Sequence, residues 1–273
     1  MSNIIRMPAA DGPELDIYVG NRDLLLLRYY EPEPGVFIAE GRNVVDIALH
    51  AGYEPLSAVV TARMLRDDIV DRLGSIPVYV VEEKAARERF GYVLTGGICC
   101  AMRRRENPDW REIIRDARRI VVLENVENPT NVGAIFRSAA AMGIDAVLLS
   151  PRCVDPLYRR ALRVSVGTTC LIPWAFAAKN ESEWLDSGIA GLREHGFKTV
   201  AMALRDDDVT IDAPVLKSCP KLAIVMGNEG YGLEQQTIDA CDYVARIPMM
   251  NGVDSLNVAV AAGLAMWELG RQK

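Results

Sequence analysis

The stretch Ile247-Pro-Met-Met-Asn-Gly-Val-Asp-Ser-Leu-Asn-Val-Ala-Val-Ala261 leaves a short apolar strand, crosses a loop and enters a helix of small residues. Ser255 stands at the expected helix start, where serine is a favoured cap. Asn257 falls in the expected first turn. Asparagine is a mediocre helix former, so its place just before Val258, Ala259, Val260, Ala261 and Ala262 asks for a reason beyond local propensity. The small side chains suit a helix packed closely against a neighbour, in the same chain or in a second subunit.

Upstream of this stretch, strand-like runs at 120–123, 146–149, 199–202, 222–225 and 243–247 alternate with helix-like segments at 132–142, 182–195, 233–240 and 256–269. The runs are short, apolar and bounded by turn residues. Alternation of this kind predicts an α/β fold with a largely parallel sheet and helices on both faces. Further strands are expected at 36–39, 58–61, 78–81 and 98–102. Helices are expected over 21–30, 42–50, 64–73 and 82–90, the first broken by Glu31-Pro-Glu-Pro-Gly35. These form a smaller α/β domain. Pro8, Gly12 and Pro13 argue against regular structure in the first twenty residues. The expected division is an extended lead-in (1–20), an N-terminal domain (21–102), a basic linker with a helix opened by Asp109 and Glu112 (103–118), and a C-terminal domain (119–273). A length of 273 residues suits two domains.

Half the residues are hydrophobic and a quarter charged, the balance of a globular protein. No apolar run approaches the roughly 18 residues of a membrane span, and the N-terminus lacks the apolar core of a signal peptide. Six cysteines without a C-x-x-C pair, and only two histidines, argue against a metal site. Reduced thiols point to the cytoplasm. The net charge of −6 is unevenly spread: residues 101–169 carry 12 basic and 8 acidic side chains, whereas both flanking segments are acidic. Arg103, Arg104 and Arg105, then Arg159 and Arg160, are candidates for contact with a polyanion such as RNA. The interleaved Glu106, Asp109, Glu112 and Asp116 leave a plain solvated face as the alternative for the first group.

Two earlier motifs accompany the opening stretch. In Asn131-Val-Gly-Ala-Ile-Phe-Arg137, an asparagine at an expected helix start precedes an arginine two turns on. Free N–H groups at a helix start and a guanidinium fork both suit a phosphate; a simple cap and a surface arginine are the alternative. In Gly227-Asn-Glu-Gly-Tyr-Gly-Leu233, three glycines surround Glu229 after an apolar strand. Such a loop can wrap a small molecule through its backbone. It lacks the G-x-G-x-x-G spacing of a dinucleotide site and the Lys-Ser/Thr ending of a P-loop, which disfavours an oxidoreductase.

Together, in this order, the three motifs resemble the SpoU (TrmH-type) branch of the SPOUT RNA methyltransferases. The resemblance covers about residues 119–273. It implies a C-terminal trefoil knot, S-adenosyl-L-methionine as methyl donor, a ribose 2′-OH of rRNA or tRNA as acceptor, and a homodimer formed through the C-terminal domain. By position it implies Arg137, Asn131, Glu229, Ser255 and Asn257 as catalytic residues. It places the donor against Leu204, Gly227, Asn228, Gly230, Ile247, Met249 and Leu256. Asn251-Gly252 departs from the pattern, since many members carry glycine one position earlier. Phe37-Ile-Ala-Glu-Gly-Arg-Asn-Val-Val45 resembles the substrate-binding module that precedes the catalytic domain in this family. A catalytically silent RNA-binding protein on the same fold is the main alternative, and a small-molecule or protein methyltransferase a further one.

Overall fold

The computed structural model describes residues 3–20, 35–205 and 208–270. The helix expected over 21–30 lies outside them. The chain divides into two compact units, Met1–Glu106 with Leu157–Leu171, and Asn107–Pro156 with Ile172–Lys273.

The first unit holds a five-stranded sheet of β1 (Asn3–Arg6), β2 (Val36–Glu40), β3 (Pro55–Thr61), β4 (Pro77–Val81) and β5 (Ile98–Arg103), in the order β1-β4-β3-β5-β2. β1, β4 and β3 are parallel; β5 runs antiparallel to β3 and β2. The lead-in is therefore not loose. Asn3–Arg6 completes the sheet edge, and a 3-10 turn at Pro13–Tyr18 buries Leu15 and Tyr18 beside Ile38, Val59 and Phe90. Pro13 opens that turn rather than breaking structure, because its fixed φ suits a first helical position. The expected helix over 64–73 is split into a 3-10 turn, Ala62–Arg66, and a short helix, Asp68–Arg72, capped by the Asp67 side chain.

Residues 157–171 were expected with the C-terminal domain and pack instead with the first unit. The reason is electrostatic. Glu40 is buried at the end of β2, and Arg159 and Arg163 of the helix Arg159–Val164 reach its carboxylate at 3.3 Å each. A buried carboxylate without such partners is costly.

The second unit carries a seven-stranded, wholly parallel sheet: β6 (Arg119–Leu123), β7 (Ala146–Leu149), β8 (Trp174–Phe176), β9 (Lys198–Met202), β10 (Val209–Thr210), β11 (Leu222–Met226) and β12 (Tyr243–Arg246). The order is β10-β12-β9-β11-β6-β7-β8. β6, β7 and β11 are buried along their whole length, which is why they read as continuous apolar runs. The short strands β8 and β10 were not expected from the sequence. The buried Arg119 donates to the carbonyls of Arg118, Cys219, Pro220 and Leu269, holding the end of the last helix. No helix among the described residues is long and apolar enough to cross a membrane. Neighbouring strands β12, β9, β11 and β6 present their carboxyl ends side by side, where open parallel sheets place their ligand crevices.

Candidate active site

The helix Pro129–Met142 begins three residues before the sequence suggested. Asn128, not Asn131, is its cap: the Asn128 Oδ1 accepts from the Thr130 N–H at 2.8 Å, and Pro129 fills the first helical position. Asn131 is thereby released from capping. It sits in the first turn, buried, with its side chain available for tertiary bonding.

The loop after β11 is closed on itself. Asn228 and Gly232 exchange backbone hydrogen bonds at 2.9 and 3.1 Å. The Asn228 side chain accepts from the Gly230 N–H and donates to the Asn125 carbonyl, both at 2.7 Å. Gly227 is obligatory here, since a Cβ would lie 2.3 Å from the Gly232 carbonyl carbon and the Leu233 nitrogen. This closure directs Glu229 toward the helix start. One carboxylate oxygen accepts from the Asn131 Nδ2 at 2.9 Å and from the Asn128 N–H at 3.2 Å. A carboxylate at a helix N-terminus is favoured by the helix dipole.

Asn257, not Ser255, caps the last helix, Val258–Leu269. Its Oδ1 accepts from the N–H groups of Ala259 (3.0 Å) and Val260 (3.4 Å). Those donors fix which way the amide faces, so its Nδ2 must point outward, and it donates to the Asn131 Oδ1 at 3.1 Å. Asn131 must then turn its own Nδ2 to Glu229. The result is a polarised relay from the helix amides through Asn257 and Asn131 to one oxygen of the Glu229 carboxylate. Ser255 lies outside the helix and is exposed.

Beside this relay is a cavity of about 410 Å³, within the usual range of small-molecule sites, about 300–1,000 Å³. Leu204 after β9 lines it. So do Gly227, Asn228, Glu229 and Gly230 after β11, and Ile247 and Met249 after β12, with Ser255 and Leu256 beyond. All seven residues expected to hold a small ligand are on its wall. Leu204 and Leu256 remain 58% and 39% exposed there, apolar surface that a ligand with an aromatic or thioether part would cover.

Residues 118–267 match the SpoU rRNA Methylase family. The chain belongs to this family. It is 36% identical over 267 residues to an uncharacterized tRNA/rRNA methyltransferase of Mycobacterium bovis, spanning 96% of this chain and 90% of that protein. An AdoMet-bound rRNA methyltransferase from Sinorhizobium meliloti superposes with a TM-score of 0.80 at 25% identity, covering 97% of both chains. An RNA 2′-O ribose methyltransferase superposes with a TM-score of 0.74 at 26% identity, covering 98% of this chain and 99% of that one.

Within this SpoU-family chain, Arg137 stands apart from the relay. Six helical residues turn roughly 240° beyond a full turn, so it points to a different side of its helix from Asn131. It is exposed, and no hydrogen bond or ion pair joins it to Glu229, Asn257 or any other described residue. The arginines expected on RNA are all in the first unit, and several are engaged there. Arg103 bonds Glu54 at 2.9 Å. Arg104 is buried. Arg105 lies over the Tyr53 ring and donates to the Ala51 carbonyl at 2.6 Å. Arg159 is stacked on Tyr92, 3.6 Å from the ring centroid, as well as paired with Glu40. Arg160 is exposed.

Three supporting residues were missed. Asn128 had a readable signal, an asparagine before a proline at a helix start. Asn125 and Glu124 had none. Asn125 takes a left-handed conformation (φ 55°) and bonds Ser150 and Glu234. Buried Glu124 accepts from the Trp184 Nε1 (2.6 Å), the Glu234 N–H (2.8 Å) and the Thr237 hydroxyl. Burial pushes its pKa above the ordinary 4.5, against the pull of those donors.

Proposed function

We propose that the chain transfers a methyl group from S-adenosyl-L-methionine to a ribose 2′-OH of RNA, with rRNA favoured over tRNA. The observation that carries this reading is the Glu229–Asn131–Asn257 relay beside a ligand-sized cavity at the carboxyl edge of β9, β11 and β12. The cavity fits the donor in volume and in the chemistry of its wall, apolar side chains interspersed with loop backbone groups. Likeness to an RNA 2′-O ribose methyltransferase supports the ribose as acceptor.

The donor supplies a methyl group already activated by a sulfonium. The protein's task is therefore alignment and removal of one proton. Alignment of reactants is worth up to about 7–11 kcal/mol of a barrier. The relay holds the start of the helix Pro129–Met142 against the loop 227–232, and so holds the cavity wall still. Arg137 grips a phosphate next to the target ribose and orients its 2′-OH. Its guanidinium stays charged, so the proton passes to a phosphate oxygen or to water rather than to Arg137. Ser255, on the cavity wall, holds the nucleotide.

A homodimer belongs to the same reading. Val260, Leu264 and Trp267 are 52%, 45% and 52% exposed at i, i+4 and i+7 of the last helix, an apolar stripe that a second copy would cover. The trefoil knot is also part of it: β12 returns between β9 and β10, and the last helix closes back so that Asn257 reaches Asn131. Arg160 and Arg103 in the first unit would meet RNA phosphates, and the protein would act in the cytoplasm. A catalytically silent RNA binder would have no need of the intact relay.

The test is to map 2′-O-methyl sites in total RNA from a deletion strain and to restore the missing site with purified protein and labelled donor. Methyl groups found on bases, or no binding of the donor by calorimetry, would overturn the proposal.

A further inference from the structure

The loop that carries Glu229 also carries Tyr231, between Gly230 and Gly232. Tyr231 is 55% exposed while lining the same cavity as Glu229 and Ser255. No hydrogen bond or ring contact to another described residue holds it. A large aromatic ring left half in water forgoes burial worth about 25 cal/mol per Å² of apolar surface. Yet the ring is not on a loose loop. The Asn228–Gly232 backbone pair, the Asn228 side chain and the Glu229 carboxylate fix the turn on both sides of it. The turn thus presents a rigid aromatic face to solvent at the edge of the reaction site.

Arg152, half-exposed, is paired with Glu127 (3.0 Å) and Glu181 (3.4 Å). A fixed, half-exposed aromatic face at the rim of a site is the usual platform for an unstacked base of single-stranded RNA.

We propose that Tyr231 stacks a nucleobase of the RNA substrate, at or next to the nucleotide whose ribose is methylated, and so sets where the 2′-OH lies relative to the donor. This rests on the RNA reading above. The donor's own adenine is a poorer occupant for this face, because Leu204, Ile247, Met249 and Leu256 already supply the cavity with apolar wall, whereas the Tyr231 ring is turned half outward.

The test uses the full chain and three substitutions, Tyr231→Phe, Tyr231→Leu and Tyr231→Ala. Affinity for short oligo(U) and oligo(A) ribonucleotides is measured by anisotropy, and donor affinity by calorimetry. Loss of a base–aromatic stack is worth about 5- to 150-fold. Tyr231→Leu and Tyr231→Ala should both weaken RNA binding by that order. Tyr231→Phe should stay within about twofold, and donor affinity should fall much less than RNA affinity in the Leu and Ala proteins. In a Tyr231→Trp protein, oligonucleotide should quench the new indole fluorescence. The platform is overturned if Leu substitutes as well as Phe, if Ala has no effect, or if donor affinity falls in step with RNA affinity. Ring-dependent RNA binding in a wild-type protein that transfers no methyl group would sink the methyltransferase reading and leave the platform standing.

Discussion

The Asn131 amide donates to the Glu229 carboxylate at 2.9 Å across 98 positions of sequence, joining the first turn of one helix to the glycine-rich loop after β11. Both groups that approach Glu229, the Asn131 Nδ2 and the Asn128 N–H, use the same oxygen. A glutamine at 229 can keep both bonds through its amide oxygen, whereas alanine leaves the buried Asn131 donor without a partner, at about 1–3 kcal/mol. Glu229→Gln is therefore expected to keep methyl transfer within about tenfold of wild type, and Glu229→Ala to lose about one to two orders of magnitude. Steady-state kinetics of the two variants checks this; equal loss in both would mean that the charge, not the bonding, matters.

Asn257 has two jobs that substitution can separate. Asn257→Asp keeps the acceptor that caps the last helix but loses the donor to Asn131; Asn257→Ala loses both. The aspartate should unfold at a temperature close to wild type and yet turn over poorly. The alanine should be less stable by a further ~1 kcal/mol, the worth of a cap. Thermal melts paired with activity of the folded protein decide it: an active aspartate variant would reduce Asn257 to a cap.

Arg137 has no partner to lose in the described structure, so its removal should not disturb the fold. Arg137→Ala should bind S-adenosylmethionine normally and melt with wild type, while turnover falls by about two to four orders of magnitude. Arg137→Lys should recover little, because a point charge does not reproduce the bidentate fork. Near wild-type turnover in the alanine variant would remove Arg137 from the mechanism.

The apolar stripe of the last helix yields a prediction about mass. Trp267→Lys or Leu264→Glu is expected to convert a dimer into a monomer in light scattering, because either places a charge on the Val260–Leu264–Trp267 face. A wild-type protein that is already monomeric at micromolar concentration would refute the proposed dimer.

Asp242 ties the start of β12 to β9, accepting from the Thr199 N–H and hydroxyl at 3.0 Å each, from Lys198 at 2.9 Å and from Arg193 at 3.3 Å. Burial alone would raise its pKa, but these donors outweigh it and hold the carboxyl below the ordinary 3.8. Because the folded value is the lower one, this stabilisation is present above pH 3.8 and disappears as pH falls through the folded pKa. Asp242→Asn should be less stable than wild type at neutral pH by about 2–3 kcal/mol, with the gap closing in acid. Urea midpoints measured down the pH scale test the sign; a gap that widens on acidification contradicts it.

Much of this could be read along the chain. The buried strands β6, β7 and β11 announce themselves as unbroken apolar runs, Asn257 stands out as a residue that local propensity does not explain, and Gly227, Glu229 and Arg137 stand out through the motifs they share with the family. Two cap assignments were three and two residues out, because a short polar side chain near a helix start satisfies the same local pattern whether it caps or not. Only the backbone N–H groups it reaches tell the two apart. The pairing of Asn3–Arg6 with β4 and the attachment of residues 157–171 to the first unit were not legible, since each depends on partners far away in sequence, Ile76 to Val80 for one and Glu40 for the other.

The sequence by itself determined the parallel α/β character, the family and the chemical kinds of residue at the site, because periodicity and short motifs are local properties. Tertiary structure alone decided that Asn257, Asn131 and Glu229 bond in one polarised line while Arg137 faces away. That outcome follows from strand order and from which amide protons fix each side chain, and neither is written in any single segment.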